Sequence, residues 1–310
     1  MLPHNSIYVA GHTGLVGSAV VRHLKDAGYN NLILRTRNEL DLRNQAAVND
    51  FFNKQRPEYV FLAAAYVGSI YANQTEPANF IYNNLAIQTN TINAAYHCGS
   101  VYKFVFLGSS CAYPKFAGQP IQEKSLLSGP LEPTSEWYAT AKIAGIKLAQ
   151  AFRKQNGFNI ICLMPTNVYG PNDSYSAHTS YVIPALIRKF HFAKVNDQNN
   201  VRVWGTGASQ REFLHSDDLA SACCYLMHHY DENEIINVGS GEEITIARLA
   251  WVIKEIVGFY GDVEFNSAMH DGVPRRLLDS SRLRLLGWYP TIPLRYGIEQ
   301  TYKAYLANLG

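Results

Sequence analysis

Apolar residues in the first half of the chain fall into short continuous runs, separated by longer stretches of helical spacing. Ile7-Tyr8-Val9-Ala10, Leu32-Ile33-Leu34, Tyr59-Val60-Phe61-Leu62, Phe104-Val105-Phe106-Leu107 and Asn159-Ile160-Ile161-Cys162-Leu163-Met164 are such runs. They are too short for helices and rich in β-branched and aromatic residues, as strands buried on both faces are. Between them, Ala19 to Leu24, residues 79–97 (Ile81, Leu85, Ile87, Ile92, Ala95) and residues 138–155 carry apolar positions at helical intervals. The alternation predicts a doubly wound parallel sheet of Rossmann type over residues 1–170.

Past Pro165-Thr166-Asn167-Val168-Tyr169-Gly170-Pro171 the rhythm breaks. Residues 171–310 read as a smaller, loop-rich α/β substrate domain. In it Val182 to Ile187 starts a helix, Val201 to Gly205 is a strand, and Arg211 to His215 leads into a helix capped near Asp217 and Asp218. The stretch around 213–240 is expected to return to the sheet, which interleaves the two domains.

The first strand runs into Gly11, Gly14 and Gly17 and then a helix. Glycines there permit a tight turn, close approach of backbone to a pyrophosphate and packing of helix on strand. Leu15 and Val16 lie between them, so Gly11, Thr13, Gly14, Leu15, Val16 and Gly17 form the expected dinucleotide turn. The second strand ends in Arg35-Thr36-Arg37. A NAD site usually offers an acid at that point, whereas guanidinium groups favour a 2′-phosphate, so the expected cofactor is NADPH. Asp41 and Leu42 are placed on the adenine side, Ala63 and Ala64 on the ribose and nicotinamide half, and Pro165 and Val168 at the last strand's turn.

Candidate chemistry is concentrated in Trp137-Tyr138-Ala139-Thr140-Ala141-Lys142 and Leu107-Gly108-Ser109-Ser110-Cys111. A tyrosine and a lysine four apart share a helix face, so the ammonium is expected to lower the Tyr138 pKa. Tyr138 then donates a proton to a carbonyl oxygen that Ser109 polarises from the end of its strand. The glycine spacing G-x-x-G-x-x-G and this Ser/Tyr/Lys set together resemble the extended short-chain dehydrogenases.

Charge and cysteine content narrow the picture. A net charge of +2 without a long basic run points away from nucleic acid, and no apolar stretch approaches a bilayer span. Five scattered cysteines form no metal-ligand spacing. Cys98, Cys162, Cys223 and Cys224 are expected to be small buried residues. A cytoplasmic protein is expected, and the helices over 79–97 and 138–155 suggest a homodimer. Trp204, Arg211 and Arg276 suit an anionic, aromatic ligand, by stacking and by guanidinium forks.

Nearly the whole chain resembles the GDP-L-fucose synthase family, NADPH-dependent epimerase/reductases of nucleotide-sugar biosynthesis. The likeness is carried by Leu107 to Lys115, Met164 to Asn167, Val182 to Leu186, Arg211 to His215 and Pro274 to Asp279. By this resemblance Ser109, Tyr138 and Lys142 are the reductase set, Cys111 is an epimerase acid/base, and Asn167, Trp204 and Arg211 hold a GDP-linked 4-keto sugar. Thr13 and Lys189 stand where the family has arginines, and Arg276 where it has lysine. Tyr181 occupies the place of the family's epimerase histidine, immediately before Val-Ile-Pro-Ala-Leu. An unassisted phenol does not titrate near neutrality as imidazole does. The sequence therefore predicts a C4 reductase without epimerase activity. A bifunctional synthase and an inactive NADP-binding regulator are the alternatives.

Overall fold

The apolar runs of the first half cannot expose either face to water, and they pair into one parallel sheet sandwiched between helices. The computed structural model describes residues 1–268 and 272–309. In chain order the first half holds β1 (Ile7–Ala10), α1 (Leu15–Asp26), β2 (Leu32–Ile33), α2 (Gln45–Gln55), β3 (Tyr59–Leu62), α3 (Ile70–Thr75), α4 (Pro77–His97), β4 (Lys103–Leu107), α5 (Glu136–Asn156), β5 (Ile160–Pro165) and β6 (Asn167–Tyr169). The second half holds α6 (Val182–Val195), β7 (Asn200–Trp204), β8 (Gln210–His215), α7 (Ser216–His229), β9 (Ile236–Val238), β10 (Glu243–Thr245), α8 (Ile246–Val257), β11 (Asp262–Asn266), β12 (Arg275–Arg276), α9 (Ser281–Leu285) and α10 (Leu294–Ala307).

The main sheet has six strands in the order β2-β1-β3-β4-β5-β9, all parallel. Strand order reverses at β1, which lies between β2 and β3, and this opens a crevice at the carboxyl ends of β1 and β3. Side chains alternate across the sheet with a period of two. Tyr8, Ala10, Val60, Leu62, Phe104 and Phe106 pack with Val48 and Phe52 of α2, Ile92 of α4 and Ile146 of α5. Ile7, Val9, Phe61, Val105 and Leu107 pack on the other face with Val20 and Leu24 of α1 and Leu219, Cys223 and Leu226 of α7.

A four-stranded sheet in the order β10-β8-β12, with β6 also paired to β8, builds the second lobe together with the β11-β7 pair. Its core includes Ile183, Ile187 and Phe190 of α6, Leu249 and Ile253 of α8 and Ile298 of α10. This half is not loop-rich as expected: α6, α7 and α10 have 14 residues each and α8 has 12. Helix α8 carries ordinary boundary signals, Thr245 accepting from Arg248 N at its start and Gly258 in the left-handed region at its end. Buried Glu212 ties the lobes together. Its carboxylate accepts from Gly241 N at 2.7 Å and Leu278 N at 3.0 Å, and its carbonyl accepts from Thr166 Oγ1 and Asn167 Nδ2 at 3.2 and 2.9 Å.

The apolar stripe expected on α4 is corrected in part. Ile92 and Ala95 are buried, but Ile81, Leu85 and Ile87 are only half-buried, and the inward positions include Asn83, Asn84, Gln88 and Thr91. Each amide is placed by backbone it satisfies. Asn84 Nδ2 donates to Tyr66 O and Phe80 O, and Gln88 Nε2 donates to Ala141 O at 2.6 Å. The α4–α5 contact is also close at Gly145, where an added Cβ would lie 2.6 Å from Gln88 Oε1. Among the described residues no helix is long and apolar enough to cross a membrane.

Candidate active site

The turn after β1 is built by sterics. Gly11 has φ +81°, and a Cβ on it would sit 2.7 Å from the backbone nitrogen of Ala64 at the end of β3. A Cβ on Gly17 would lie 2.1 Å from the carbonyl oxygen of Gly11, so only glycine lets α1 rest on the turn. Helix α1 begins at Gly14 with no side-chain cap and no acid in its first turn. Its first residues line the crevice, so its N-terminal N–H groups and the positive end of its dipole suit an anion.

The crevice is a cleft of about 430 Å³ running from Arg35 and Arg37 past the glycine turn to Ser109 and Tyr138. Of the residues expected on the cofactor, Gly11, Thr13, Gly14, Leu15, Val16, Arg35, Arg37, Asp41, Leu42, Ala63, Ala64, Pro165 and Val168 line it, and Gly17 lies beneath the turn. Arg43, which the sequence reading did not single out, adds a third guanidinium to the wall. It pairs with Asp41 at 2.6 Å and donates to Asn83 Oδ1 at 2.9 Å. Bonding to Arg43 holds the Asp41 carboxyl down at about 2, so Asp41 is an anion already matched by a cation. Arg35 donates to Leu34 O at 2.8 Å and lies 6.0 Å from the Phe51 ring. An uncapped helix N-terminus over a glycine cradle, with three guanidinium groups at one end, fits a dinucleotide carrying an extra phosphate.

At the other end of the cleft Ser109, Cys111, Tyr138, Lys142, Asn167 and Tyr181 come together. Ser109 follows β4 and caps a short 3₁₀ turn, its Oγ accepting from Cys111 N at 3.2 Å. Tyr138 and Lys142 project from α5. Lys142 Nζ donates to Leu107 O at 2.8 Å and lies 5.8 Å from the centre of the Tyr138 ring. Burial lowers the ammonium to about 8. Tyr138 departs from the sequence expectation: burial, then the nearby Cys111, pushes its phenol up, and the hydrogen bond with Ser109 opposes this only in part. The proton therefore stays on Tyr138 at neutral pH.

Tyr181 precedes α6 and has an extended backbone. The residue is 41% exposed. Its hydroxyl nonetheless lies on the protein side, among Tyr138, Cys111 and Asp173, and burial followed by these neighbours raises it well above 10. Asp173 also lines the cleft and was not anticipated. Burial pushes its carboxyl up to about 7.

Lys189, Trp204, Arg211 and Arg276 lie outside the cleft walls, on the second lobe. Lys189 Nζ sits 5.6 Å from the Trp204 ring and donates to Arg202 O at 3.0 Å. Trp204 is 54% exposed, as a stacking platform must be. Arg276 pairs in register with Arg211 across β12 and β8, is 6% exposed, and has Nε and Nη2 buried without a partner.

The sequence matches the NAD dependent epimerase/dehydratase family over residues 7–239. It is 57% identical over 303 residues to GDP-L-fucose synthase 1 of Arabidopsis thaliana, covering 98% of this chain and 94% of that protein. The structure resembles a GDP-6-OMe-4-keto-L-xylo-heptose reductase from C. jejuni with a TM-score of 0.94 at 38% identity, covering 99% of each chain. It also resembles MlghC, a GDP-mannoheptose C4 reductase from Campylobacter jejuni with NADP bound, with a TM-score of 0.89 at 40% identity, covering 99% of each chain. With its glycine turn and Ser/Tyr/Lys set on one cleft, the chain belongs to the NAD dependent epimerase/dehydratase family and, within it, to the GDP-L-fucose synthase group.

Proposed function

We propose that this chain is an NADPH-dependent reductase of the C4 ketone of a GDP-linked 4-keto sugar, of 6-deoxyhexose or heptose type, and that it does not epimerise the carbons flanking the ketone. One observation supports the second half: a phenol, Tyr181, stands among Cys111, Tyr138 and Asp173, at the position where the family resemblance implies a histidine. Burial and the surrounding acids hold it protonated. A phenol so held is no base for taking a proton from carbon at neutral pH, which is the step an epimerase needs first.

Bound against the glycine turn and the arginines, NADPH supplies the hydride. The hydroxyls of Ser109 and Tyr138 are hydrogen-bonded to each other, and together they would receive the ketone oxygen and polarise it. Tyr138, protonated at neutral pH, gives its proton to the developing alkoxide. Lys142, a cation below about 8, stabilises the phenolate left behind. On the second lobe, Trp204 offers a face for the base, and Lys189, Arg211 and Arg276 offer charge for the diphosphate, with Asn167 at the sugar. The enzyme acts in the cytoplasm as a homodimer. Support comes from its five free cysteines and from the long paired helices α4 and α5, with Tyr82 on the outside.

The 57% identity to a plant GDP-L-fucose synthase favours a second reading, a bifunctional enzyme in which Cys111 still works. Reduction of GDP-4-keto-6-deoxymannose with NADPH in D2O separates the two, because epimerisation must leave solvent deuterium on carbon. The expected product keeps the C3 and C5 configuration of the substrate. Stoichiometric deuterium at both carbons in a fucose-configured product would establish the bifunctional reading. Absence of any NADPH oxidation with this sugar and with a GDP-4-keto heptose would leave the regulator.

A further inference from the structure

The sugar end of the cleft contains a buried carboxylate oxygen without a hydrogen-bond partner, which the reductase mechanism does not use. Asp173 enters the wall from the turn Gly170-Pro171-Asn172-Asp173, in which Gly170 has φ +152° and Asn172 has φ +66°. Asparagine tolerates the left-handed region readily, so the turn forms without strain and carries Asp173 to the wall. Asp173 Oδ1 accepts from Ser174 N at 2.8 Å. Its Oδ2 is buried and has no hydrogen-bond partner. The side chain lines the same cleft as Ser109, Cys111, Tyr138 and Tyr181.

The carboxyl has phenols for neighbours. The titratable groups that sense its charge are Tyr175 and Tyr181, both raised in part by it, and no cation acts on it in return. Above its raised value of about 7 the carboxyl is an anion, and a carboxylate oxygen withheld from water without a donor is costly, so a hydroxyl brought to it by a ligand is correspondingly favourable. The donor is narrowed by chemistry. Tyr138 and Asp173 both act on Tyr181, so for a ketone oxygen received by Ser109 and Tyr138 the groups that would face Asp173 are those on the carbons beside the ketone. In a 6-deoxy-4-ketopyranose C5 carries hydrogen and methyl, whereas C3 carries a hydroxyl.

We propose that Asp173 selects the sugar: its free carboxylate oxygen accepts a hydrogen bond from the C3 hydroxyl beside the ketone. This rests on the C4 reductase reading. It makes Asp173 a specificity residue that discriminates 3-hydroxy from 3-deoxy sugars, since a buried acceptor left unpaired penalises the ligand that lacks the donor.

The test compares wild type, Asp173→Ala and Asp173→Asn on GDP-4-keto-6-deoxymannose and on its 3-deoxy counterpart, following NADPH oxidation and separating KM from kcat. Asp173→Ala is expected to lose about 10- to 100-fold in kcat/KM on the hydroxylated sugar and less than about threefold on the deoxy sugar. Its KM for NADPH should not move. Asp173→Asn keeps the shape and a weaker acceptor, so it should lose less than the alanine variant and again only on the hydroxylated sugar. It serves as the deciding variant if alanine prevents folding. Equal losses on both sugars, or no loss on either, would overturn the proposal while leaving the reductase reading standing. Wild type that oxidises NADPH with neither sugar, nor with a GDP-4-keto heptose, would instead overturn the reductase reading, and this inference with it.

Discussion

Replacing Lys142 with methionine should abolish most turnover and make the protein more stable. Lys142 is 5% exposed, and among the described residues its Nζ donates to Leu107 O at 2.8 Å. Burial moves it from 10.5 to about 8, so the folded protein binds this proton more weakly than the unfolded chain does. The cost is fully present below pH 8, shrinks as pH rises from about 8 to 10.5, and is gone above that. At pH 7 it amounts to about 3 kcal/mol, each pH unit being worth about 1.4 kcal/mol. Methionine removes this cost and fills the space beside the Phe106 ring, which lies 5.0 Å from Nζ. It also leaves the Leu107 carbonyl unpaired, at about 1 kcal/mol. The balance is about 2 kcal/mol in favour of Lys142→Met at pH 7, a rise in Tm of a few degrees. Thermal unfolding of both proteins without nucleotide, at pH 7 and again near pH 10, measures it. The variant's advantage should be present at pH 7 and mostly gone near pH 10, with turnover at pH 7 reduced by about a hundredfold or more. A variant that melts at or below the wild-type temperature at pH 7, or whose advantage is independent of pH, would refute the reasoning.

Two further predictions concern the same cleft. Tyr138→Phe should leave NADPH affinity nearly intact and cut turnover by roughly a hundredfold, the usual worth of a general acid; near-normal turnover would remove Tyr138 from the role assigned to it. Arg35→Ala and Arg37→Ala should each weaken NADPH by about tenfold or more while leaving NADH within about threefold, because only NADPH carries the 2′-phosphate. Equal weakening of both nucleotides, measured by fluorescence titration, would assign these arginines to the fold.

The sheet was legible because its strands are buried on both faces, so β1, β3, β4 and β5 stand in the sequence as unbroken apolar runs. Glycine spacing between strand and helix gave the dinucleotide turn for an equally local reason. The buried face of α4 was not legible. Its Asn84 and Gln88 look like surface residues until the backbone groups they satisfy, Tyr66 and Ala141, are brought to them from elsewhere in the chain. Arg43, two residues beyond Asp41, is open to the same argument as Arg35 and Arg37, but its place on the wall depends on the pairing with Asp41 and Asn83 that only the fold brings about. Asp173 gave no signal, since an acid in a turn is ordinary until the turn is folded over the catalytic residues. The sign of the Tyr138 shift was misjudged because spacing locates the neighbouring ammonium and says nothing about how far both groups are withdrawn from water.

The outermost strand of the main sheet, β9, reaches its place beside β5 only after the chain has passed through α6, β7 and β8. Until then Leu163 to Pro165 have no hydrogen-bonding neighbour on that side, and the face that Leu219, Cys223 and Leu226 will cover is bare. A growing polypeptide that has just emerged through Gly170 is therefore a sticky half-sheet with an open edge, the kind of surface that recruits other chains. The nucleotide-binding half is not a portable cassette. Gene fusions, circular permutants and premature stops that separate it from residues 216–238 should yield aggregate, and insertions that alter sugar preference are confined to loops that leave this late closure untouched.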